Sequence, residues 1–141
     1  MPTSDKKKLY ELIDDVHIAM LTTVEKSGTL HTRPMANQKA DRKGAIWFFT
    51  DKTGSVAANL QNSPKCSLGY AASGTYVAVS GKGSLVDDRA KIAELWSPAV
   101  EAWFPKGKAD PNLTLLKVEP DMGEFWTFPS APLSQAIGYV K

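Results

Sequence analysis

The stretch Lys65-Cys66-Ser67-Leu68-Gly69-Tyr70-Ala71-Ala72-Ser73-Gly74-Thr75-Tyr76-Val77-Ala78-Val79-Ser80-Gly81 decides the fold class. Its first half, Lys65 to Ala72, has the composition of a buried strand. Its second half runs on from Thr75 to Val86 with apolar residues at Val77 and Val79 before Gly81, the period of two expected of a strand. Ser73-Gly74 separates the halves and is a turn signal, so the segment reads as an antiparallel hairpin.

Working toward the amino terminus, Asn62-Ser63-Pro64 ends a short helix that opens at Thr53-Gly54-Ser55 and runs through Leu60. Before it lies Ala45-Ile46-Trp47-Phe48-Phe49-Thr50, an aromatic run of strand length that follows the turn Asp41-Arg42-Lys43-Gly44. His17–Val24 and Thr29–Gln38 flank Lys26-Ser27-Gly28 and form another hairpin. Ser4 is placed to cap a first helix whose Leu9, Leu12, Ile13 and Val16 make one apolar stripe. Toward the carboxyl terminus, Asp87 is placed to cap a helix carrying Ile92, Leu95 and Trp96. Pro98 starts a further helical turn with Val100, Trp103 and Phe104. A polar loop, Pro105–Pro111, leads to strands at Leu113–Val118 and Gly123–Phe128. The expectation is a mainly β (α+β) protein: an antiparallel barrel or sandwich of six to seven strands with peripheral short helices, and no parallel sheet. No linker or internal repeat divides residues 1–141, so a single domain is expected.

Length and composition agree with this. A chain of 141 residues falls in the usual single-domain range, and 43% hydrophobic with 23% charged residues is ordinary for a globular protein. No apolar run is long enough to span a bilayer, and Met1–Lys8 lacks the apolar stretch of a secretory signal, so the expected compartment is the cytoplasm with no membrane partner. Cys66 is the sole cysteine, which excludes an internal disulfide, and it reads as a packed thiol. His17 and His31 have no carboxylate at metal-ligand spacing beside them. The net charge of +2 comes from mixed charges, and the basic run Lys6-Lys7-Lys8 is followed by Glu11, Asp14 and Asp15, so no nucleic-acid partner is expected. The chain carries no phosphate-loop, dinucleotide-fingerprint or nucleophile-elbow motif. Any chemistry then falls to a cofactor.

The candidate site lies where Arg33-Pro34-Met35-Ala36-Asn37-Gln38 meets Trp47-Phe48-Phe49-Thr50. Pro34 gives no ladder hydrogen bond and so belongs at a sheet edge or bulge. Arg33, Met35 and Asn37 would share one face, and Pro34, Ala36 and Gln38 the other. From composition alone these residues read first as an edge strand with an exposed arginine, and an edge left open to a ligand is the alternative. The aromatic run ends at a helix amino terminus, where free N–H groups favour a phosphate, or it is simply a core strand before a capped helix. Trp96, Trp103 and Phe104 either seal one end of the barrel or form an oligomer contact.

Six segments, taken in order, resemble the general stress protein 26 family, flavin-binding members of the pyridoxamine 5′-phosphate oxidase-like group. They are Leu21-Thr22-Thr23-Val24, Leu30-His31-Thr32-Arg33-Pro34-Met35, Ile46–Thr50, Tyr76–Gly81, Leu95-Trp96-Ser97-Pro98 and Ala102-Trp103-Phe104-Pro105. The resemblance implies a split β-barrel that forms a homodimer with FMN, or possibly FAD, at the subunit interface. It implies that Arg33, Pro34, Met35, Ala36 and Gln38 line the ring's polar edge; on this reading backbone N–H groups near Met35 would bond the N5/O4 side and the Arg33 charge would lie near N1/O2. Phe48, Phe49 and Thr50 would lie near the ring and ribityl phosphate, and Tyr76, Trp96 and Trp103 would come from the partner subunit. Relatives place a serine and a basic residue at the start of the following helix; here the matching positions are Gly54 and Val56, leaving Lys52, Thr53 and Ser55 as substitutes. The implied activity is that of a flavin-dependent oxidoreductase linked to stress response. A carrier, store or sensor of flavin is the alternative, and a haem-binding split barrel lacks an obvious proximal histidine. No basic cluster suits a second phosphate, so pyridoxamine phosphate is not the expected substrate.

Overall fold

The computed structural model describes residues 3–38, 41 and 43–128. A first helix, α1 (Thr3–Asp14), precedes the hairpin β1 (Ile18–Val24) and β2 (Leu30–Ala36), then β3 (Ile46–Asp51), α2 (Ser55–Asn62), β4 (Lys65–Ala72) and β5 (Thr75–Val86). Two short helices, α3 (Arg89–Leu95) and α4 (Pro98–Glu101), lead to β6 (Leu113–Thr127). Every strand pairing is antiparallel, in one six-stranded sheet of order β2-β1-β4-β5-β6-β3. The sheet curls until its edge strands β2 and β3 approach each other without pairing. This is the split barrel with peripheral helices that the sequence predicts.

Hairpin chemistry sets the first turn: Gly28 has φ 92°, a left-handed conformation that glycine adopts without steric cost, and its N–H bonds the Glu25 carbonyl at 2.8 Å. Burial alternates along β1, β4 and β5, so Ala19, Leu21, Cys66, Leu68, Tyr70, Val77 and Val79 fill the interior. Leu9 and Ile13 close it from α1, as the apolar stripe predicts, and Val16 joins them from just past the end of the helix. Strand β3 departs from alternation because both its faces are covered. Ile46 and Phe48 enter the barrel core, while Ala45, Trp47 and Phe49 enter a second core beneath α3 and α4 with Ile92, Val100, Leu113 and Leu115.

Three expectations are corrected. Helix α1 is already under way at Thr3, so Ser4 lies inside it and is not its cap. The cap of α3 is Asp88, whose carboxylate accepts the Lys91 N–H at 3.1 Å, while Asp87 instead pairs with Lys52 and Arg89. The two carboxyl-terminal strands are one strand of 15 residues. Ser80 faces Met122 but Gly81 faces Pro120, so Asp121 is an extra residue in a bulge. A bulge tolerates a proline that an unbroken ladder would reject. Gly81 makes the bulge possible: a Cβ there would collide with the Glu119 carbonyl oxygen and lie 3.1 Å from Pro120 Cα.

Two outcomes follow from this packing. Gly81→Ala has no flexible neighbour to displace and is expected to destabilise the fold by about 1–3 kcal/mol, read from the urea midpoint. Burial pushes the Cys66 thiol up to about 11, with Asp121 adding to the effect. The native protein at pH 8 is therefore expected to leave Cys66 unmodified by a disulfide reagent that labels it fully in denaturant.

Candidate functional site

The open edge of β2 has a definite polarity. The Asn37 N–H donates to the His17 carbonyl at 2.8 Å, in register with the pairs Met35–Ala19 and Arg33–Leu21. Backbone groups alternate sides along a strand, so residues 33, 35 and 37 turn theirs toward β1. Pro34 and Ala36 turn theirs outward, and Pro34 lacks an N–H to offer there. The amide next to Met35 that is open to a ligand is that of Ala36; Met35's own amide serves the ladder.

Side chains alternate instead between the two faces of the strand, and residues 31, 33 and 35 share the more buried one. Arg33 points inward rather than standing exposed. Its Nη1 donates to Thr23 Oγ1 at 2.7 Å and to the His31 carbonyl at 3.1 Å, and its Nη2 meets His31 Nδ1 at 2.9 Å and Ser55 Oγ at 3.2 Å. Burial holds its pKa below the usual guanidinium range while Glu25 pulls it upward, and it remains a cation. Its Nε is buried with no partner among the described residues. The Ser55 contact carries the arginine across the split to the first residue of α2. Gly54 caps that helix without a side chain, so the first-turn N–H groups have no capping acceptor from it.

A cleft of about 300 Å³ opens at this point, lined by Arg33, Pro34, Met35, Ala36, Phe49, Thr50 and Ser55 and, from α4 and the residues after it, Trp103. Seven of the residues expected from this chain thus meet in one place, and Trp103, expected from a partner subunit, lines the same cleft from its own chain. Gly54 and Val56, the positions where relatives carry a serine and a basic residue, and Phe104 of the aromatic cluster also line it, as do Asp51 and Val100, which sequence reasoning did not assign to the site. The spacing of Val100 and Phe104, one helical turn apart and joined by a 3.1 Å backbone bond, was a usable signal.

The other predicted residues lie elsewhere. Phe48 is fully buried in the barrel core, because it sits one residue out of phase with Phe49. Lys52 reaches Asp87 at 2.7 Å, and Thr53 turns back onto Asp51 through its N–H and hydroxyl. Gln38 lies past the end of β2 and outside the cleft. Tyr76 sits on β5 opposite Trp126, its ring 6.2 Å from Phe128. Trp96, half-buried, packs edge-on against Phe49 of its own chain at 5.6 Å. Trp103 stays 45% exposed. A larger cleft of about 550 Å³ between α1 and β6 is lined by Lys6, Lys43 and Lys117 together with Asp41, Glu119 and Asp121. It mixes charges without a flat aromatic wall and holds none of the predicted residues. Among the described residues no acidic, histidine or cysteine group could hold a metal ion, and no helix is long and apolar enough to cross a membrane.

The sequence profile described as pyridoxamine 5′-phosphate oxidase like matches residues 4–141. The chain belongs to the pyridoxamine 5′-phosphate oxidase-like family. Within this family it is 33% identical over 121 residues to general stress protein 26 of Bacillus subtilis (strain 168), covering 82% of this chain and 84% of that protein. Among solved structures, the general stress protein 26 of Bacillus anthracis str. Sterne superposes with a TM-score of 0.78 at 21% identity, covering 88% of this chain and 95% of that one. At that identity the likeness speaks for the fold. The general stress FMN/FAD binding protein of Xanthomonas citri superposes with a TM-score of 0.75 at 28% identity, covering 93% and 94% of the two chains.

Proposed function

We propose that the cleft between β2, the start of α2 and α4 binds the flavin of a flavin-dependent oxidoreductase, FMN or FAD, with its phosphate toward Arg33 and Ser55. One observation carries this reading: an edge strand, an aromatic wall and a helix amino terminus with an arginine beside it converge on one cleft. The family and the FMN/FAD-binding Xanthomonas relative support it.

The residues present suit a flavin at both ends. Pro34, Met35, Phe49, Phe104 and Trp103 offer apolar and aromatic surface for a flat ring. The Ala36 N–H and Pro34 carbonyl on the open edge are suited to the ring's polar rim. The Arg33 guanidinium sits at the helix end, 3.2 Å from Ser55 Oγ, so its proposed role moves from the ring's N1/O2 edge to the phosphate. That role also answers the lack of a serine and a basic residue at Gly54 and Val56: the cation comes from β2 instead, and the α2 dipole adds to it. Lys52 and Thr53, engaged by Asp87 and Asp51, are not part of the proposed grip.

A bound flavin supplies reversible electron transfer; the chain's part is to hold the ring, offer an amide to its rim and neutralise its phosphate. A homodimer would cover Trp103, whose exposure at the cleft mouth suits a partner subunit. Storage, transport or sensing of flavin is the second reading, because the carboxylate that lines the cleft, Asp51, is already engaged by the N–H and hydroxyl of Thr53.

Titration of FMN, FAD and riboflavin by fluorescence quenching tests the site. FMN and FAD are expected to bind about ten- to a hundredfold tighter than riboflavin, the worth of a charge-assisted contact. Equal binding of riboflavin and FMN would refute the phosphate assignment, and no binding of any of them would refute the site. Arg33→Ala is expected to lower FMN affinity by about the same factor while riboflavin affinity holds. Anaerobic mixing of the FMN-loaded protein with NADH and NADPH should bleach the flavin's visible band; retention of colour with both would favour the carrier, store or sensor.

A further inference from the structure

Behind the cleft lies a polar chain within the apolar core. Thr23 on β1 is fully buried, and Asn59 on α2 is 7% exposed. Asn59 Nδ2 donates to Thr23 Oγ1 at 2.8 Å, and Arg33 Nη1 donates to the same oxygen at 2.7 Å. Two donors occupy both lone pairs of that hydroxyl oxygen. Asn59 falls one helical turn after Ser55, so both lie on the same side of α2. The helix therefore holds Arg33 at two points, directly through Ser55 at Nη2 and indirectly through Asn59 and Thr23 at Nη1.

His31 completes the restraint. Arginine only donates, so the 2.9 Å contact makes His31 Nδ1 an acceptor and places the ring proton on Nε2. In that state the 3.8 Å approach of Glu25 to the same nitrogen is not an ion pair. Of the groups that bind the guanidinium, only Ser55 lines the cleft; Thr23 is buried in the core and His31 lies outside the lining. The Ser55 bond is also the longest of the set at 3.2 Å, and it is the one that an incoming anion can replace.

An apolar pair of the same shape would cost the core little, whereas a buried polar pair must satisfy every donor. We infer that Asn59 and Thr23 form a positioning relay that pins Arg33 from behind, leaves Nη2 facing the helix amino terminus, and makes the cleft select flavins that carry a phosphate over those that do not. The inference rests on the flavin reading of the cleft and deepens it by assigning the selectivity to residues that touch no ligand.

The test is the ratio of riboflavin to FMN dissociation constants, measured with thermal melts on the intact chain and its variants. Thr23→Val removes the shared acceptor and is expected to shrink the wild-type preference for FMN by about tenfold, with riboflavin affinity unchanged. Thr23→Ser retains the hydroxyl and should restore the preference. Asn59→Ala removes the far end of the relay and should shift the ratio in the same direction; it decides the question if Thr23→Val does not fold. A wild-type ratio in a folded Thr23→Val, or in Asn59→Ala should Thr23→Val not fold, overturns the relay. So does a parallel loss of both ligands, which is what a purely structural role produces. A wild-type protein that does not prefer FMN overturns the phosphate reading beneath it, a result distinct from failure of the relay alone.

Discussion

The Arg33 guanidinium spans the gap that the sheet itself leaves open. Strands β2 and β3 are the two edges of the sheet and approach without pairing, so backbone hydrogen bonds do not close the barrel there. Arg33 crosses the opening with bonds to Thr23 on one side and Ser55 on the other. A half-buried cation needs hydrogen bonds in place of the water it loses, and Thr23, His31 and Ser55 supply them to its two terminal nitrogens. The same bonds fix the guanidinium beside the amino terminus of α2, where positive potential is concentrated. Closure of the barrel and creation of an anion-favouring cleft are thus one event.

The second constraint is the double burial of β3. Its inner face, with Ile46 and Phe48, belongs to the barrel, and its outer face, with Trp47 and Phe49, anchors α3 and α4. The edge-on contact between Phe49 and Trp96 and the tilted one with Phe104 at 6.3 Å hold the short helices against the sheet. Helices of 7 and 4 residues have little stability of their own, so this packing decides where they sit. It also sets Trp103 at the cleft mouth, still 45% exposed, so the small outer core builds one wall of the candidate site.

The barrel was legible because its signals are local. The turn at Ser73-Gly74, the proline of the β2 edge and the apolar stripe of α1 each act within a few residues, and the structure follows them. The bulge at Asp121 was not legible, because Glu119-Pro120-Asp121 resembles a turn and only the opposing Gly81 makes a continuous strand possible. At the site, the elements were legible but the direction of each side chain was not. Phe48 and Phe49 are neighbours of one chemical type, and which of them meets the cleft depends on which face of β3 the curled sheet turns inward. Lys52 was a reasonable phosphate ligand by proximity, yet Asp87, 35 positions away, takes its ammonium.

By itself the sequence determined the helices and the strands as far as β5, the antiparallel class, the edge position of Pro34 and the family, since each rests on residue type, period or order along the chain. Only the tertiary structure decided that Arg33 turns inward to the helix end, that Trp96 packs edge-on against Phe49, and that Thr23 and Asn59 stand behind the arginine. The physical reason is distance along the chain: Asn59 and Thr23 are 36 positions apart and Arg33 and Ser55 are 22, and a hydrogen bond between them exists only once the sheet has curled.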